Sequence, residues 1–189
     1  MLKKAIVFLA DGLEEVEAIT PIDYLRRAGV EVTTVSIGSG EQVMGSHKIP
    51  IAADTTLEKL HVQGKDAAAD WDAVVLPGGG VGSENLAASP GVGGFLKEMA
   101  GAGKLVCAIC AAPAVVLAPL GLLQGRRFTC YPGMEDRVRG AQWSGDRVVI
   151  DGLFITSRGA GTAGEFARGI IGKLVGQAEA DKLAESVLL

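Results

Sequence analysis

Cys110 is the residue around which chemistry can be built. It stands in KLVCAICAAPAVVLAPL, positions 104–120. Leu105–Ile109 is a short apolar run suited to a strand buried on both faces. Pro113 suits the first turn of a helix, where a missing N–H costs nothing, and Gly121 suits its end. The cysteine therefore falls on a sharp strand-to-helix turn, similar to a nucleophile elbow without the glycines of G-x-S-x-G. A thiol there faces unpaired helix N–H groups and the positive end of the helix dipole. Both favour the thiolate, the reactive form. The competing reading is a small buried hydrophobe, the ordinary fate of a free cysteine.

Other residues could join it. Cys107 and Cys110 form C-x-x-C, but a strand position three residues before the turn puts the two Cα atoms roughly 10 Å apart. That is beyond disulfide reach, and no second pair or paired histidines complete a metal site, so Cys107 reads as core. Glu14, Glu15 and Glu17 open the first helix. Glu14 and Glu15 read as helix-dipole complements on a solvated face. Glu17 shares its face with Leu13, Pro21 and Tyr24. A carboxyl on so apolar a face has a raised pKa, and it can hold or pass a proton near neutrality. Gly78, Gly79 and Gly80 lack the G-K-[ST] of a phosphate loop; the Gly79 N–H could instead help hold an oxyanion beside the N–H of Ala111. Gly159–Gly161 does not fit a dinucleotide pattern, and both glycine runs also read simply as tight turns. His47 and His61 stand outside the strand ends, so a Cys-His-acid triad has little support.

These residues need a frame. Ala5–Leu9 reads as strand one, with Asp11 and Glu14 as a capping box for a helix starting near Leu13. Pro21 kinks that helix or restarts it from Thr20, and Gly29 ends it. Val30–Ile37 is strand two, Gly38–Gly45 a turn region, Ile49–Ala52 a peripheral strand and His61–Asp70 a loop. Ala73–Leu76 is a strand, a helix runs from Ser89-Pro90 to Met99, and the Cys110 strand and helix follow. Phe128–Cys130 is a further strand and Met134–Val138 a short helix. Val148–Ile150 and Leu153–Ser157 flank Asp151-Gly152, a strong hairpin signal. Helices at Thr162–Val175 and Ala178–Val187 complete the chain. Strands alternating with helices imply an α/β fold with a doubly wound parallel sheet, in which ligands sit at the carboxyl ends of the strands. Cys110, Pro77–Gly80, Asp11–Glu17 and Arg158–Gly161 all fall there.

Composition narrows the function. A chain of 189 residues is expected to form one domain spanning 1–189. Its net charge of −4 gives no electrostatic case for nucleic acid, and no apolar stretch is long enough to cross a membrane. The first residues, MLKKAIVFLADGLEE, read as the first strand rather than a signal peptide. Three cysteines, an odd number, favour a reducing cytoplasm over a disulfide framework.

AIVFLADGLEEVEAITPIDYLRRAGVEVT, VVLPGGG, AICAAP and TSRGAGT, in this order, resemble the ThiJ/PfpI superfamily, and within it the small parkinsonism-associated protein deglycase subfamily. The resemblance covers nearly the whole chain. It implies a flavodoxin-like three-layer sandwich with a mostly parallel sheet, a homodimer and no required cofactor or metal. It implies a nucleophile at Cys110, a protonated partner at Glu17, and oxyanion-type N–H groups at Gly79 and Ala111, with Gly78, Tyr131, Arg158 and Gly159 in supporting loops. The chain departs from the family at Tyr131-Pro132, where many members carry histidine before the proline, and at Gly45 and Ala52, where the best-known member has cysteines. His47 or Lys48 stands where a basic residue lies near the dimer interface.

The leading expectation is a cofactor-independent glyoxalase or deglycase acting on methylglyoxal, glyoxal or their early adducts. The alternative is a peroxide-sensing stress protein or chaperone, working through oxidation of Cys110. A peptidase or amidase ranks third, because the imidazole is missing.

Overall fold

The computed structural model describes residues 2–62, 64 and 68–189. In chain order the elements are β1 (Lys4–Leu9), α1 (Glu15–Arg27), β2 (Glu31–Ser36), β3 (Gln42–Met44), β4 (Pro50–Ala52), β5 (Thr55–Thr56), α2 (Leu57–Val62) and β6 (Ala73–Leu76). Then come α3 (Gly80–Ala88), α4 (Pro90–Gly101), β7 (Leu105–Ile109), β8 (Arg127–Phe128), β9 (Gln142–Trp143), β10 (Val148–Asp151), β11 (Phe154–Ser157), α5 (Ala163–Leu174) and α6 (Gln177–Ser186).

Seven strands form the central sheet in the order β10-β11-β7-β6-β1-β2-β5. All neighbours are parallel except β10, which pairs antiparallel with β11; the hairpin turn is Gly152-Leu153, one residue later than the expected Asp151-Gly152, because Asp151 pairs with Phe154. Alternate residues of each strand feed opposite faces, as the two-residue period requires. Ala5, Val7 and Leu9 pack with Leu25, Phe166 and Ile170, beneath α1, α5 and α6. Ile6, Phe8, Val74 and Leu76 pack with Leu86, Phe95 and Met99, beneath α3 and α4. This is the expected flavodoxin-like sandwich of helix, sheet and helix. From β1 the chain winds outward to β2 and β5, then returns to β6, β7 and β11 on the other side. The switch point lies between β1 and β6, where such sheets place their ligands.

Several local expectations change. The cap of α1 is Glu14, whose Oε2 accepts from the Glu17 N–H at 2.8 Å. Asp11 is not available for that role because its Oδ1 accepts from the Met44 N–H at 2.8 Å. Helix α1 runs through Pro21 without restarting at Thr20. The segment after Cys110 is wound as a π-helix over Pro113–Leu117, with the Ala118 N–H on the Pro113 carbonyl at 3.0 Å. This wider winding turns Pro113, Ala114, Val116 and Leu117 all inward. The Gly38–Gly45 turn region contains β3, which pairs antiparallel with β4 as a small arm. The short Met134–Val138 helix is a 3₁₀ turn at Glu135–Arg137. The expected strand at Phe128–Cys130 shortens to β8, paired with β9 outside the main sheet. The supposed loop His61–Asp70 begins in α2 and ends in a 3₁₀ turn at Ala68–Asp70; its positions 63 and 65–67 lie outside the described residues.

Candidate active site

Three parallel strands, β1, β6 and β7, deliver Glu17, Gly78 and Cys110 to one end of the sheet. Cys110 follows β7 directly and adopts φ +64°, a left-handed conformation that costs a non-glycine residue energy and persists only where the surroundings enforce it. Two backbone bonds enforce it. The Cys110 N–H donates to the Ser157 carbonyl at 3.0 Å, and its carbonyl accepts from the Tyr131 N–H at 2.8 Å. The side chain is thereby lifted off the end of β7 toward α1, where it is 9% exposed.

There it meets Glu17, which is 1% exposed. The Cys110 thiol and the Glu17 carboxyl are hydrogen-bonded to each other. The Gly78 N–H also donates to Glu17 Oε2 at 3.0 Å, and the Ala160 N–H reaches the same carboxyl. Gly78 is required by sterics rather than by φ. A methyl group there would collide with the Glu17 carboxyl and lie 2.5 Å from the Cys110 Cβ. Gly79 follows with φ +85° and leads into α3. Its N–H and that of Ala111 point at the Cys110 sulfur. Gly159 lies on the far side, where a methyl group would be 3.8 Å from Glu17 Oε1 and 3.7 Å from the Tyr131 ring. The structure thus gathers Cys110, Glu17, Gly78, Gly79, Ala111, Gly159 and Tyr131, with Arg158 adjoining in the chain.

The electrostatics follow from burial. Loss of water pushes Glu17 up from the ordinary glutamate range to about 7, against the hydrogen bonds from Cys110, Gly78 and Ala160 that favour its charged form. Burial also pushes the Cys110 thiol up to about 12, and the negative charge of Glu17 adds to the rise. The Gly79 and Ala111 N–H groups oppose it. The sequence-based expectation of a thiol ionising below its free value therefore does not hold while Glu17 is charged. The two groups titrate as one system. Between about 7 and about 12 the pair carries one proton and one negative charge. Moving that proton from sulfur to carboxylate along the existing hydrogen bond yields a thiolate facing two N–H donors.

The glutamates beside Glu17 behave differently from expectation. Glu15 is not on a solvated face but 6% exposed, covered by the β3–β4 arm. Burial alone would raise its pKa, but hydrogen bonds from the His47 ring and from the Glu15, His47 and Ile49 N–H groups hold it at about 2. Glu14, Glu15 and His47 bring ligand atoms within 4.8 Å of one another, the one such trio among the described residues. The Glu15 oxygens are already occupied by His47 and Ser46. The other cysteines are elsewhere: Cys107 is fully enclosed in the sheet, and burial pushes its thiol far up; Cys130 is buried with its thiol pushed up to about 12.

Residues 3–173 match the DJ-1/PfpI family. Over 190 residues the chain is 40% identical to the Parkinson disease protein 7 homolog of Danio rerio, covering 99% of this chain and 97% of that one. It is 32% identical over 157 residues to deglycase PH1704 of Pyrococcus horikoshii, covering 82% and 89%. Among solved structures, oxidized DJ-1 of Toxoplasma gondii superposes with a TM-score of 0.92 at 35% identity, covering 98% of each chain.

Proposed function

This chain belongs to the DJ-1/PfpI family, and on that premise we propose that it is a cysteine-dependent, cofactor-independent glyoxalase or deglycase acting on methylglyoxal, glyoxal or their early adducts. The observation that carries the reading is the hydrogen-bonded pair of Cys110 and Glu17, set before the Gly79 and Ala111 N–H groups. The deglycase name of the Pyrococcus relative supports it.

The residues divide the chemistry as follows. Proton transfer to Glu17 frees the Cys110 thiolate, which adds to the aldehyde carbon of methylglyoxal. The new alkoxide accepts hydrogen bonds from Gly79 and Ala111, as in an oxyanion hole, and is protonated to the hemithioacetal. Glu17, with a pKa near the working pH, removes the proton from the former aldehyde carbon and returns one to the adjacent carbon. The result is a lactoyl thioester on Cys110. Water cleaves it, restoring the thiol and releasing lactate, so that one methylglyoxal and one water give one lactate. A hemithioacetal or hemiaminal on another molecule would supply the same aldehyde after releasing its thiol or amine.

Methylglyoxal turnover without glutathione, measured for the intact protein and Cys110→Ser, tests the proposal. Loss of turnover in the variant is expected, and equal rates would overturn it.

A second reading rests on the same pair. Peroxide would oxidise the Cys110 thiolate stepwise to sulfinate, and protonated Glu17 would donate a hydrogen bond to it. The oxidized Toxoplasma relative favours this reading. Mass spectrometry after mild peroxide should then find two added oxygens on Cys110 alone. Oxidation spread equally over Cys107 and Cys130 counts against it.

A further inference from the structure

On the Gly159 side of Glu17 lies a cavity of about 300 Å³, lined by Tyr131, Pro132, Arg147, Arg158 and the turn at 159–162. Three contacts tie its walls to the reaction site. The Cys110 N–H binds the Ser157 carbonyl, which places Arg158 next along the chain. The Tyr131 N–H binds the Cys110 carbonyl, which places the Tyr131 ring on the other flank. Gly159, the shared wall, faces the Tyr131 ring and Glu17 Oε1 at 3.7 and 3.8 Å from where a methyl group would sit.

The two arginines differ in how far they are already engaged. Arg147 is committed: its Nε and Nη2 donate to the two Glu165 oxygens at 2.8 Å, and Nη2 also donates to the Gly161 carbonyl at 2.7 Å. Arg158 is half-buried and donates from Nη1 to the Gly145 carbonyl at 3.1 Å. It makes no ion pair among the described residues. Glu135, which like Arg158 acts on the buried Cys130 thiol, is engaged through Oε2 with the Gly133 N–H. A guanidinium carries five donors in a planar fork that matches carboxylate and phosphate oxygens. Beyond the one bound to Gly145, Arg158 therefore has charged donors to offer a cavity whose wall, Gly159, adjoins Glu17.

We infer that this cavity is a subsite for an acidic group, carboxylate or phosphate, carried by the carbonyl substrate, with Arg158 as its anchor and the Tyr131 ring as an apolar wall. The inference rests on the reading of Cys110 as nucleophile and narrows its substrate class to 2-oxoaldehydes, or their early adducts, that bear an acid. Tyr131 supports no imidazole-type proton transfer here. It shapes the pocket instead.

Iodoacetate and iodoacetamide test the subsite without requiring turnover. Both alkylate the Cys110 thiolate by forming an S–C bond and expelling iodide, and they differ in a carboxylate against a neutral amide. Arg158→Gln is expected to lower the ratio of the iodoacetate rate to the iodoacetamide rate about fivefold, the upper range for an exposed ion pair. Arg158→Lys should recover part of that ratio. An unchanged ratio overturns the proposal, as does an equal fall in both rates, which would show that Arg158 only holds Cys110 in place. Protection by inorganic phosphate but not acetate identifies a phosphate-bearing substrate, and the reverse identifies a carboxylate; failure of both to protect overturns the subsite. A shifted ratio in a protein that turns over no carbonyl leaves the subsite standing and removes the glyoxalase reading.

Discussion

His47 Nδ1 lies 2.7 Å from Glu15 Oε2, and the His47 backbone N–H reaches Oε1 of the same carboxylate at 2.6 Å. One residue of the β3–β4 arm thus holds both oxygens of a buried glutamate on α1. The arm is locked to the helix that carries Glu17, although neither His47 nor Glu15 is among the contacts of Cys110.

The lock has a pH signature. Glu15 is depressed from 4.5 to about 2 in the folded chain, so its stabilisation is present above about 4.5 and is lost as the pH falls toward 2. His47 is raised above 6.5 by the same contact, so its stabilisation is complete below 6.5 and fades as the pH rises through the folded value. Thermal melts should show Glu15→Gln below the native protein by several degrees, with the widest gap between about 4.5 and 6.5. A gap that ignores pH would exclude the ion pair as its source.

Glu17 should give the opposite slope. Its folded pKa is raised to about 7, so its contribution to stability is complete below about 4.5 and is lost as the pH rises through 7. Catalysis needs the ionised form as base, so kcat/KM for methylglyoxal should climb through the same range. Glu17→Gln should flatten both profiles and lower turnover by roughly 10²–10⁴-fold. A rate profile with no inflection near 7 would assign the base to another group.

The same substitution should move the thiol. With Glu17 ionised, its charge adds to the burial that holds Cys110 at about 12. Glu17→Gln removes that charge while keeping a donor and the shape. Thiolate absorbance against pH should therefore show Cys110 titrating lower in the variant than in the native chain. An unchanged titration would mean that the two side chains do not share a proton.

Gly78→Ala tests the packing of the pair. The added methyl group must displace the Glu17 carboxyl or the Cys110 side chain, since it would also lie 2.9 Å from the Ile109 carbonyl. Misplacing reacting groups by about 1 Å costs roughly 100-fold in rate, so turnover should fall by about that factor. Full activity would show that the site tolerates a wider spacing.

Val16 and Ile19 on α1 and Met44 and Ile49 of the arm are all exposed apolar side chains. The arm is fastened to this region through the Gly12 N–H on the Met44 carbonyl and the Ser46 N–H on the Leu13 carbonyl. We propose that a second copy of the chain covers this apolar surface. Light scattering should give a dimer at micromolar concentration and a monomer for Val16→Glu. A native monomer would reject it.

The sequence shows clearly what depends on local pattern. The buried runs of β1, β6 and β7, the glycines at 78–80 and the strand-to-helix turn at Cys110 are readable because strand ends announce themselves. Glu17 stands out because Leu13, Pro21 and Tyr24 share its helix face. Glu15 could not be read this way. Its burial depends on β3 and β4 folding across α1, a pairing between weak strands of three residues each. The π winding after Cys110 and the rise in the thiol pKa are likewise products of tertiary packing: one follows from burial around Pro113–Leu117, the other from burial of the thiol, reinforced by the charge of Glu17, 93 positions away in the chain. Glu14 as the α1 cap was hidden behind Asp11, whose competing partner Met44 is likewise non-local.

The site is assembled from turns far apart in sequence: Gly78 binds Glu17 across 61 residues, and Cys110 binds Ser157 after β11 has joined β7. Contacts of such separation carry a loop-closure cost and form late in a topology of this kind. No isolated fragment can hold Cys110 in its left-handed conformation beside Glu17. During refolding, helix content should therefore return before the selective alkylation of Cys110 does, and the reactivity of a single sulfur becomes a clock for completion of the whole sheet.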